Sequence, residues 1–163
     1  MKKAIATVLF LGLAACGGEG ETTATTSAAI VSSLDGTYDF VLDSSDVASK
    51  LRAKCGADKA CWEEIEKDAQ TEKIRFSKNA AGELVFTSFS IEGTKEEVFL
   101  EAPVALAELS PGVYRGKLVG WPKGTLVAQL THAKSEMKVE RRADGTLTIV
   151  DEKKGRLVYR RAS

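Results

Sequence analysis

The stretch Met137–Val150, MKVERRADGTLTIV, decides how the chain is built. Met137 and Val139 alternate with the charged Lys138 and Glu140, which is the period-two signature of a half-buried strand. Asp144-Gly145 then supplies the residue pair that a tight hairpin turn needs, because its backbone demands positive φ. Beyond the turn, Leu147 and Ile149 alternate with Thr146, Thr148 and Val150. Two strands joined by so short a turn pair antiparallel, since a parallel return requires a crossover of a dozen or more residues.

Working outward, the same pattern recurs. Tyr38, Phe40 and Leu42 alternate with Asp39 and Val41 near the front of the domain. From Lys73 onward, strands are expected over 73–77, 84–91, 98–109, 113–119, 125–131, 137–141, 146–150 and 157–159. Turn residues such as Asn79–Gly82, Gly93-Thr94, Ser110–Gly112 and Gly120–Gly124 separate them. Pro103 is expected to interrupt the third of these, because it has no N–H to give a ladder. Eight or nine short antiparallel strands point to a small barrel, in which closure removes the exposed edges. A two-sheet sandwich is the alternative.

One segment breaks the pattern. Val47, Leu51 and Cys55 recur every four residues, and so do Cys61, Ile65 and Ala69, with Trp62 beside them. These are two helical stripes. Ser44 or Ser45 is a suitable cap for the first helix and Asp58 for the second, and Gly56 suits the left-handed end between them. Cys55 and Cys61 could not pair within one continuous helix, where six residues rise about 9 Å. The break at Gly56 brings them within the roughly 7 Å that a disulfide spans. A disulfide-stapled helical hairpin after the first strand is therefore expected.

The N-terminus carries the address. Met1-Lys2-Lys3 is a short basic segment, and Ala4–Leu13 is almost wholly apolar. That run fits the ~7–15 residues of a signal-peptide core and falls short of the ~20 a spanning helix needs. Leu13-Ala14-Ala15-Cys16 follows and resembles a bacterial lipobox. The resemblance implies cleavage before Cys16, acylation of its thiol and amine, and a membrane anchor. Two or three acyl chains hold far more firmly than one, at about 0.8 kcal/mol per buried methylene. Gly17 rather than Asp after the cysteine implies the outer membrane of the bacterial envelope. Residues 1–15 are then the leader, 16–33 (beginning CGGEGETTATT) a flexible lipidated tether, and 34–163 a single domain.

Charge narrows the partners. The 163-residue chain has 23 Lys+Arg against 23 Asp+Glu, and Lys2 and Lys3 leave with the leader. A slightly acidic chain lacks the basic excess that nucleic acid requires. With Cys16 assigned to lipid, Cys55 and Cys61 remain as an even pair in an exported protein, where thiols oxidise. Neither a metal site nor a cofactor is expected: His132 is the only imidazole, and no Gly-rich phosphate loop or nucleophile motif is present.

Leu34-Asp35-Gly36-Thr37-Tyr38 at the start of the domain and Gly155–Arg161 (GRLVYRR) at its end resemble the opening and closing strands of lipocalin-like small-barrel lipoproteins. The resemblance implies a barrel, and no ligand-binding residue comes with it. Tyr114 and Trp121, at the two ends of YRGKLVGW, are the candidates for a binding surface, because aromatic residues at strand ends and loops anchor interfaces. The expectation is a non-enzymatic binding module for a small apolar ligand or an envelope protein. A structural role in envelope assembly is a second reading. A third is an acid–base site built from carboxylates such as Glu97 and Glu101.

Overall fold

The computed structural model describes residues 28–119, 122–124, 136–151 and 155–163. Cys16, Trp121, His132 and the strand expected over 125–131 lie outside these residues. Eight strands are described: β1 (Gly36–Phe40), β2 (Glu72–Lys78), β3 (Leu84–Glu92), β4 (Lys95–Ser110), β5 (Val113–Leu118), β6 (Glu136–Arg141), β7 (Leu147–Asp151) and β8 (Gly155–Arg161). Each pairs antiparallel with its neighbour in sequence, and β8 returns to β1 through Phe40↔Tyr159 and Tyr38↔Arg161. The sheet is a closed barrel and not a sandwich.

The hairpin read from Met137–Val150 forms, with the register Val139↔Ile149 and Arg141↔Leu147. Val139 and Leu147 are fully buried, and Met137 and Ile149 nearly so. Pro103 does not interrupt its strand. Its carbonyl accepts from Val119 N–H at 2.9 Å, and the donor it lacks falls on the rung where the β4–β5 ladder runs out. A proline is tolerated where a missing N–H costs a single end bond.

Between β1 and β2 lie a 3₁₀ turn (Leu42–Ser44) and two helices of the expected hairpin. Helix α1 (Ala28–Leu34) precedes β1, and the hairpin is α2 (Val47–Cys55) with α3 (Lys59–Thr71). Gly56 ends α2 at φ 58°, and the Asp58 carboxylate accepts from Ala60 and Cys61 N–H at 3.0 and 3.2 Å. Cys55 and Cys61 form the disulfide, with Cα atoms 5.5 Å apart. The cap of α2 differs from expectation. Asp46 occupies that place without a side-chain cap bond, because Ser45 Oγ donates to Val41 O and accepts from Val158 N–H. The serine fastens the turn to β8 instead of capping the helix.

Helix α1 falls largely within the segment read as tether. Ile30, Val31 and Leu34 are buried, so these residues pack with the domain. Apolar side chains at spacings of three and four line one face of a short helix, and that face has a core to cover.

The core is continuous. Tyr38, Phe76, Phe86, Ile74, Leu84, Leu100, Leu106 and Leu147 are all at most 1 % exposed. Phe76 and Phe86 meet at 5.3 Å between ring centroids, as Phe40 and Tyr159 do at 5.4 Å. Burial of each such side chain contributes about 1.5–3 kcal/mol, which offsets the ordering of the chain.

Candidate functional site

The interior of the barrel is tightly packed around Gly116. A Cβ on Gly116 would lie 2.6 Å from Leu106 Cδ2 and 2.8 Å from Met137 Cγ, so those side chains occupy the space a larger residue would need. Helix α1 lies at the end where β1 starts, and the disulfide hairpin connects β1 to β2 at the other. Tyr38 Oη donates to Leu34 O at 2.9 Å, tying α1 to the wall.

Tyr114 belongs to this closure. It is buried on the inner face, and its hydroxyl lies 3.4 Å from Ser33 Oγ of α1. It is therefore a packing residue under the helix and not part of an exposed patch. Its strand-end position suggested exposure; α1 covers it, and the segment containing α1 carried no strong periodic signal. Trp121 is outside the described residues, but the segment beside it returns to the sheet. Glu101 N–H donates to Lys123 O at 2.8 Å and Lys123 N–H to Glu101 O at 2.7 Å. A Cβ on Gly124 would collide with the Phe99 backbone, so only glycine allows this approach.

The two carboxylates of the acid–base reading are not brought together. The β3–β4 register shifts between Ser88 and Phe89, with Ser88↔Leu100, Phe89↔Val98, Ser90↔Glu97 and Thr87↔Glu101. The extra residue, Phe99, is a bulge. It puts Glu97 on the face of Ser90 and Glu101 on the opposite face with Thr87. Glu96 is held by Arg75 at 2.7 Å. Among the described residues, no group of three His, Cys, Asp or Glu side chains is placed to hold a metal ion.

Glu72 was not singled out in the sequence. It occupies an inner-face position opposite Ser90 and is 9 % exposed. Burial and then the nearby Glu72 charge push the Tyr159 phenol far above its ordinary pKa. The outer face of β3 also holds a surprise: Thr87 and Phe89 are buried there, with the Arg75 guanidinium 4.5 Å from the Phe89 ring centre.

Two of the surface depressions are formed by the described residues. One, of about 430 Å³, lies on the disulfide hairpin and is lined by Arg52, Gly56, Asp58, Trp62 and Glu66 among others. Arg52 stacks 4.4 Å from the Trp62 ring centre, and Trp62 Nε1 donates to Glu66 Oε1 at 2.6 Å. These contacts fix a half-buried tryptophan between a cation and a carboxylate, the composition of an interface anchor. The other depression, of about 330 Å³, lies on the outer face of β7 and β8. No protein-family model, curated protein or solved structure matches the chain.

Proposed function

We propose that this chain is a lipid-anchored module of the bacterial envelope, held at the outer membrane by acyl chains on Cys16, which binds a protein partner on its outer surface. The leader and Leu13-Ala14-Ala15-Cys16 support the anchor. The observation that supports the mode of action is the tight packing around Gly116 inside the barrel. With Leu106 and Met137 packed onto Gly116 and α1 seated at one end, the barrel is a support and not a container. Recognition then falls to the outside, and the rigid Arg52–Trp62 groove on the stapled hairpin is the best-built surface for it.

The test uses the full chain in a bacterial host. Metabolic labelling with an alkyne palmitate should mark the wild type and not Cys16→Ser, and only the wild type should remain with the outer-membrane fraction. A photo-crosslinking amino acid at Trp62 should yield one discrete adduct with an envelope protein, and the same group at exposed Lys117 on β5 should not. A lipid retained stoichiometrically in the purified domain by native mass spectrometry would instead establish an enclosed apolar ligand.

A further inference from the structure

The depression on β7 and β8 combines positive charge with a hydroxyl that has no partner. Thr148 is 1 % exposed, and its Oγ1 makes no hydrogen bond. A buried hydroxyl left without a partner costs about 1–3 kcal/mol, so such groups are rare unless something else engages them. Leu147 and Ile149 point inward, so Thr148 between them faces outward, onto the floor of the depression.

Arg142, Arg156 and Arg160 line the same depression. The register explains why they converge. Leu147↔Tyr159 and Ile149↔Leu157 place Arg160 beside Thr146 and Arg156 beside Val150, on either side of Thr148. Arg156 and Arg160 are four residues apart on one strand, about 13 Å between Cα atoms, and both side chains can reach over the centre. Arg142 approaches from the turn, where its N–H donates to Thr146 O at 2.9 Å.

Of the nearby carboxylates, Asp144 lines the depression and Asp46 pairs with Arg156, while the others are tied elsewhere. Asp144 accepts from Thr146 N–H at 2.9 Å and from the Thr146 hydroxyl, which keeps its carboxyl below the usual range. Glu140 is held by Lys138 at 2.7 Å, and Asp39 by Lys73. Asp46 accepts from Arg156 N–H at 2.9 Å and lies 3.6 Å from its guanidinium, an ion pair a phosphate would compete with. The Arg142 charge also acts on Asp144, and Arg160 has no ion-pair partner among the described residues.

We infer that this depression binds a phosphate group, with the Thr148 hydroxyl donating to one oxygen and the arginines to the others. Several separate guanidinium groups around a hydroxyl suit a tetrahedral dianion better than a planar carboxylate, which two parallel bonds from one arginine already satisfy. The space exceeds that of a bare phosphate and leaves room for the group that carries it. The phosphate could belong to a soluble monoester or ion, or to an anionic phospholipid headgroup. The inference does not depend on a protein partner at the hairpin.

The experiment follows backbone amide shifts of the detergent-solubilised full chain. Inorganic phosphate is titrated in neutral detergent, and phosphatidylglycerol is doped into the same micelles in a second series. Saturable shifts centred on Thr148, Arg156 and Arg160 are expected in at least one series. Phosphate alone sufficing identifies a soluble source, and a response confined to phosphatidylglycerol identifies a headgroup. Arg160→Gln should weaken binding at least tenfold and Thr148→Val severalfold, while Arg115→Gln, on exposed β5, should change nothing. Thr148→Val removes an unpartnered hydroxyl at nearly constant volume and should leave the melting temperature equal or higher; the exposed Arg160 serves as the independent variant. No saturable shift in either series, or an equal loss in Arg115→Gln, overturns the inference.

Discussion

The hydroxyl of Tyr38 donates to the carbonyl of Leu34 at 2.9 Å, across the junction between helix α1 and strand β1. Both residues are essentially inaccessible to solvent. The bond satisfies one of the carbonyls left open at a helix C-terminus, and it does so from inside the barrel. Tyr38→Phe removes the donor and leaves the carbonyl buried. It should cost about 1 kcal/mol, read as a lower midpoint in urea unfolding with an unchanged slope.

Alkaline pH should weaken the domain through its tyrosines. Burial raises the Tyr38 pKa, with Arg161 and Arg141 opposing the shift, and burial followed by Glu72 raises that of Tyr159 further. The folded state resists ionising these phenols, and the unfolded chain ionises them near pH 10. Their contribution is therefore fully present below about pH 10 and is lost as pH rises through the folded values. Absorbance at 295 nm during a pH titration should show the phenolate signal of Tyr38 and Tyr159 delayed beyond the free-phenol range and arriving with unfolding.

Acid should act through Asp46. Its carboxyl is held below the usual value, first by the hydrogen bond from Arg156 N–H; desolvation opposes this, and the charge and side-chain hydrogen bond of Arg156 and then the Lys50 charge add to the lowering. That contribution is present above about pH 4 and is lost as pH falls through the folded value. Asp46→Ala should lower the melting temperature at pH 7 and flatten its decline between pH 5 and 3.

The disulfide closes a short loop over a helix break, Cys55 to Cys61 with a separation of 6. Loop-closure entropy puts its contribution at about 2 kcal/mol. Replacing both cysteines with alanine should lower stability by that amount. It should also loosen Arg52 and Trp62, detectable as a red shift and increased quenching of the Trp62 fluorescence relative to a Trp121→Phe background.

Gly116 tests how full the barrel is. Gly116→Ala places a methyl against Leu106 and Met137 and should destabilise by about 1–3 kcal/mol through overpacking. Pairing it with Leu106→Val should recover part of that loss, because the second change vacates the space the first one fills. A neutral Gly116→Ala in thermal unfolding would mean that the interior has room to spare.

The two-residue periods, the Asp144-Gly145 turn, the Gly56 break and the Asp58 cap were legible in the sequence because each is a local matter of backbone geometry and side-chain spacing. So was the Cys55–Cys61 pairing, since five intervening residues leave few geometries. The site was much less legible. Tyr114 reads as a loop-edge aromatic, yet α1 folds over it from eighty residues upstream. Glu97 and Glu101 read as one face of a strand, yet the bulge at Phe99 separates them. On β3 both faces are buried, so alternation could not tell which side of Ser88 and Phe89 looks inward.

The sequence by itself determined the strand-and-turn grammar and the stapled hairpin, because these depend on neighbours within a few residues. Only the tertiary structure decided that the sheet closes, that α1 seals one end, and that Arg142, Arg156, Arg160 and Thr148 share one patch. Those outcomes depend on inter-strand register, and register is set by the packing of side chains from distant parts of the chain against one another.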